Sequence, residues 1–131
     1  VTPSVVTATF LCTEGDYLEA IIEADGQRLH VMDEFGGAQL AAGTQIRLEL
    51  WPQASEGGDW DAMFTANPGR EKGLRRLDGW RYLALGVVTQ VDPVICDCGL
   101  LQVEDAFHTR DVRCVGAYVG VTLSRLDACL P

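Results

Sequence analysis

Four groups of residues in this 131-residue chain carry side chains that chemistry can use. The first is Cys96-Asp97-Cys98, which with Cys114 and His108 supplies four soft or borderline ligands, the number a structural zinc site takes. Its spacing argues the other way. Zinc-binding cysteine pairs commonly leave two residues between them, so that a tight turn aims both sulfurs at one ion. A one-residue gap on a strand puts both thiols on one sheet face, about 7 Å apart by strand rise. Cys96 and Cys98 therefore read as small apolar core residues, a role that free cysteine fills readily. No metal and no cofactor is assigned from the sequence.

The second group is His108, in the polar segment 106–111 between Asp105 and Asp111. A carboxylate can orient a histidine as a general base. A nucleophile is missing beside it: the serines are Ser4, Ser55 and Ser124, and none lies in a Gly-x-Ser-x-Gly elbow. Phosphate-cradling glycine loops, dinucleotide fingerprints and His-Glu-x-x-His are also missing. The expectation is a solvated loop histidine and no catalytic residue. Third come Asp33 and Asp105, each two residues before a phenylalanine, Phe35 and Phe107. Two carboxylates brought together share a proton or flank a scissile bond. The simpler reading is an aspartate at a strand end accepting hydrogen bonds from turn amides. Asp33, Asp105 and His108 together are the candidate polar site.

The fourth group is basic and aromatic. Arg70, Lys72, Arg75, Arg76 and Arg81 fall within twelve positions, beside Trp80 and Tyr82. Arginine with aromatics is how a positive groove stacks single-stranded nucleic acid. Glu71 and Asp78 dilute this run, and the chain around it is acidic, so pairing with the acidic first half is the expected fate of these cations. Arg75, Arg76, Trp80, Arg81 and Tyr82, with Trp60, form the candidate surface for a partner or ligand.

Charge narrows the partner. The net charge is −9. Residues 1–69 carry eleven acidic and two basic side chains, whereas residues 70–131 carry eight of each. This disfavours the phosphate neutralisation that dominates nucleic-acid affinity, and favours a basic protein. With 47% apolar and 22% charged residues the composition is that of a globular domain. The longest apolar stretches, such as 83–88, are far too short to span a bilayer, so no membrane association is expected. Five cysteines, an odd number, argue for reduced thiols and a cytoplasmic setting.

The elements that must position these residues are strands. Period-two alternation runs through 7–12, 18–23, 28–33, 46–50, 80–89, 94–98, 100–104 and 115–126. Asp25-Gly26 is a hairpin dipeptide, because both residues tolerate positive φ. Pro52 is expected to end the fourth strand. The stretch 52–79 loses the alternation and reads as a long connection suited to binding, with Trp60, Met63 and Phe64 as a short strand or a helical turn. The two halves also resemble each other: residues 13–20 lie over 89–96, 30–35 over 102–107 and 43–50 over 116–123. The expected fold is one all-β domain of six to eight strands, a small antiparallel barrel or sandwich with an OB-like barrel as the leading architecture. A first half at about 5–51 and a second at about 80–127 would be joined by the 52–79 loop. Edge strands need cover, which a homodimer would provide.

Three functions fit this chain. The first is a non-enzymatic binding protein, such as an acidic inhibitor, immunity-type protein or adaptor that engages a basic protein. The second is an OB-like nucleic-acid or small-ligand binder, and the third a small enzyme or metal-binding protein built around His108, Asp33 and Asp105, or Cys96, Cys98 and Cys114.

Overall fold

The structure, a computed structural model, describes residues 4–14, 18–55 and 58–131. The parts of the expected repeat and of the long connection at residues 15–17 and 56–57 lie outside the described residues. The chain is all-β and mostly antiparallel. Its strands are β1 (Ser4–Glu14), β2 (Glu19–Ala24), β3 (Gln27–Glu34), β4 (Gln45–Ala54), β5 (Gly73–Arg76), β6 (Tyr82–Gln90), β7 (Ile95–Asp97), β8 (Gln102–Glu104) and β9 (Tyr118–Cys129). The single α-helix among the described residues, α1, is Trp60–Thr65.

These strands are the alternating segments of the sequence, with two corrections. β4 runs through Pro52 to Ala54. Pro52 lies past Leu50, which pairs with Ser4, so its missing N–H falls beyond the described ladder to β1. The 52–79 stretch is also not a bare loop, because it contains α1 and β5. β5 brings the strand count among the described residues to nine, and Leu74 is its buried residue.

Two compact units make up the chain, and the division falls within β4 and β9. The N-terminal unit comprises Thr2–Pro52 and Arg125–Pro131. Here the strands run β3-β2-β1-β4-β9, and β9 returns to β3, giving a ring of five strands. The closing pair is parallel, with Met32 opposite Asp127, Asp33 opposite Ala128 and Glu34 opposite Cys129. Asp25 and Gly26 both have positive φ, 52° and 73°, as the tight β2–β3 hairpin requires. Ala20, Ile22, Leu29, Val31, Leu48, Leu50, Leu126 and Ala128 are all fully buried. Full burial of a Leu or Ile side chain contributes about 1.5–3 kcal/mol, so this cluster is the main stabilising term of the ring. Phe10 and Phe35 meet edge to face at 6.3 Å.

The central unit is Gln53–Ser124. Here β8-β7-β6-β9 is the strand order, with β5 added on β6. That order repeats β3-β2-β1-β4 of the first half, strand for strand. An antiparallel irregularity near the end of β1, between Phe10 and Cys12, also has a counterpart near the end of β6, between Val88 and Gln90. The core holds Tyr82, Ala84, Val88, Val94, Cys96, Cys98, Leu101, Val103, Val119, Val121 and Leu123. Gly86 is obligatory: a β-carbon there would overlap the Asp97 carbonyl and stand 2.8 Å from the Cys98 sulfur.

Candidate functional site

A developed surface lies in the central unit around α1. Asp59 caps this helix, its carboxylate accepting from the Asp61 amide at 3.1 Å. One turn is too short to persist alone, so tertiary contacts must hold it. Asn67, only 5% exposed, provides them. Its Nδ2 donates to the Glu71 carbonyl at 2.8 Å and to those of Gly86 and Val119 at 3.4 and 3.3 Å, while its Oδ1 accepts from the Glu71 amide at 2.8 Å. Gly120 on β9 completes the seat, since a β-carbon there would stand 2.7 Å from the Ala66 methyl group.

Anchored in this way, α1 presents an aromatic cluster. The Trp60 ring meets Phe64 at 4.9 Å and Phe107 edge to face at 5.3 Å, and Phe64 meets Phe107 at 5.7 Å. Phe107 and Met63 are buried, but Trp60 remains 45% exposed. It lines an open depression of about 540 Å³ with Ser55, Met63, Asp105, Phe107 and His108. A second depression, of about 450 Å³, is bordered by Asp92, Pro93, Asp105, His108 and Arg110. Asp105 and His108 belong to both.

Asp105 has a positive φ of 57°, and its amide donates to the Val94 carbonyl at 2.9 Å. The His108 Nδ1 lies 3.9 Å from the Asp105 carboxylate, and its side chain is 85% exposed. That separation is too long for an orienting hydrogen bond. Ser55 lines the same depression, yet among the described residues its hydroxyl makes no hydrogen bond to His108. The groups of an acid–base relay are near one another without being assembled into one.

Asp33 belongs to the N-terminal unit, where its two oxygens accept from the Phe35 and Gly37 amides, each at 2.9 Å. This is the turn-capping role, and it occupies both oxygens. Among the described residues, several partners of the basic run are local and lie within the central unit. Lys72 pairs with Asp97 at 2.8 Å, Arg75 with Glu71 at 3.5 Å and Arg81 with Asp78 at 3.1 Å, while Arg76 donates to the Gly79 carbonyl at 3.0 Å. Arg70 covers the Tyr118 ring at 4.9 Å. Trp80 is half-buried. Tyr82 is 1% exposed, a core residue with no stacking face to offer.

Burial pushes the Cys96 thiol up to about 11 and the Cys98 thiol to about 12, Cys98 being raised further by Cys96 and Asp97. All five cysteines are unpaired. The Lys72 ammonium and then the Gly99 amide hold Asp97 below the usual carboxylate range. Arg113, through its side chain and then its amide, lowers Asp111 to about 2.

Searches among protein-family models, curated proteins and solved structures found no match to the chain.

Proposed function

We propose that this protein is a non-enzymatic binding domain for a basic protein, of the inhibitor or adaptor type. In this reading the depression beside Trp60 receives a cationic side chain of the partner. The observation that carries it is the Trp60 indole, half-exposed yet held by two other rings. A preorganised tryptophan on a concave surface loses little entropy on binding, and tryptophan dominates measured interface hot spots. The Asp105 carboxylate borders the same depression, and Asp59 and Asp61 flank the indole in sequence. A guanidinium there would gain about 0.5–2 kcal/mol from the ring, with the carboxylate as its charge partner. The net charge of −9 would speed encounter with a basic partner.

We further infer an OB-like barrel for the N-terminal unit, supported by its five-strand ring and the parallel β3–β9 closure. Descent of both halves from one duplicated unit is supported by their shared strand order. The unpaired cysteines support a reducing, cytoplasmic setting. Nucleic acid fits less well as the ligand, because the basic run is neutralised locally and Tyr82 is buried.

The test is fluorescence titration of the full chain with an arginine-glycine peptide, an acidic peptide of equal length and a single-stranded oligonucleotide. The basic peptide should bind preferentially, less tightly as salt rises, and Trp60→Ala and Asp105→Asn should each weaken it. Equal binding of both peptides, or an unaffected Trp60→Ala variant, would exclude this site. Preference for the oligonucleotide would favour the nucleic-acid reading instead.

A further inference from the structure

A second cluster of ligating side chains lies in the N-terminal unit, on strands that the Trp60 depression does not involve. Glu14 ends β1 and stands directly opposite Glu19 at the start of β2. Ile21, two residues beyond Glu19, pairs with His30 on β3, so His30 lies diagonally across from Glu19. Glu14, Glu19 and His30 therefore share one sheet face, opposite the face that carries Ala20 and Ile22. The His30 Nδ1 is 2.7 Å from the Glu19 Oε1, with side chains only 16% and 23% exposed. One ligand atom from each of the three residues can be chosen so that all lie within 4.8 Å of one another.

Two carboxylates directly opposite on neighbouring strands repel each other. Here that repulsion sits in a unit with nine acidic and three basic side chains. A divalent cation between the carboxylates would relieve it, adding to the His30 contact that Glu19 already has. Imidazole nitrogen with two carboxylate oxygens suits zinc and its first-row neighbours rather than calcium or magnesium, which prefer all-oxygen sites. At metal–ligand distances of about 2 Å, tetrahedral donors stand about 3.3 Å apart. His30 and Glu19 are already closer than that, and a rotamer change of the exposed Glu14 side chain would close the rest.

We propose that Glu14, Glu19 and His30 bind a divalent transition-metal ion of the zinc class, held by three adjacent strands. Three protein ligands leave a fourth position to water or to a ligand atom supplied from outside. The sequence draws attention to the cysteines as metal ligands, and this site uses none of them. It stands independently of the partner-binding reading.

The experiment titrates the full chain, stripped with chelator, with Co²⁺ and with Zn²⁺. One equivalent should bind, and the cobalt spectrum should lack a thiolate charge-transfer band. Glu14→Gln alters an exposed side chain and His30→Gln a half-buried one; each should weaken Zn²⁺ by at least about tenfold, the scale on which even indirect supports of a metal act. Zn²⁺ should also raise the melting temperature of the wild-type chain and not of Glu14→Gln. Absence of binding, unchanged affinity in Glu14→Gln, or a thiolate band placing the ion on the cysteines would overturn the site.

Discussion

At the scale of single residues, burial separates side chains that look alike in sequence. Trp60 and Tyr82 both read as aromatics for a partner, yet one is exposed on a depression and the other is in the core. A signal was present: Tyr82 shares strand parity with Ala84 and Val88, and all three are buried on β6. Adjacent arginines masked it. The cysteines were legible for the complementary reason, since alternation placed Cys96 and Cys98 on an inward face. Their titration gives a prediction. Both thiols remain protonated in the folded chain, to about 11 and about 12, above the ordinary value of 9.0 at which unfolded cysteines ionise. The native state then holds more protons than the unfolded state across that window, so stability falls as pH rises through it. Urea midpoints should drop as pH rises from about 9 to about 11. A Cys96→Ala, Cys98→Ala double variant should show a shallower fall, and an equal fall would assign it to other groups. Neutral alkylation should modify exposed Cys12 first and spare Cys96 and Cys98 until the chain unfolds.

At the scale of elements, the 52–79 stretch was only partly readable. Its apolar trio, Trp60, Met63 and Phe64, announced something compact, but one helical turn and a four-residue strand are stabilised by contacts distant in sequence. Asn67 is the clearest case, reaching the carbonyls of Gly86 and Val119. Asn67→Ala should lower unfolding free energy by about 3 kcal/mol, because several buried backbone groups lose their partner together. Amide exchange near α1 should accelerate most. Gly120→Ala should cost about 1–3 kcal/mol through overpacking against Ala66. A variant as stable as wild type in chemical denaturation would mean that the α1 seat yields more easily than its geometry implies. The charge pairs around the basic run are exposed, so removing one should change stability by less than about 1 kcal/mol.

At the scale of the whole molecule, closure of the ring depends on the last strand. Arg125–Cys129 provides buried Leu126 and Ala128, the parallel pairing with residues 32–34 and the 2.7 Å Arg125–Asp127 ion pair. A chain ending at Ser124 should lose amide protection along β3, and retained protection there would show that the ring stands without β9. Charge acts at this scale too: with a net charge of −9, the proposed association with a basic partner should weaken as ionic strength rises.

Alternation of apolar and polar side chains, a purely local property, was enough to locate nearly every strand, the Asp25-Gly26 hairpin and the inward cysteines. Three things became visible only once the chain was folded: the parallel joining of β3 to β9, the seat of α1 on Asn67 and Gly120, and the meeting of Glu14, Glu19 and His30. Each depends on pairing between segments far apart in the chain, or on register across neighbouring strands. Side-chain periodicity specifies which face a residue takes, but not which distant strand will lie beside it.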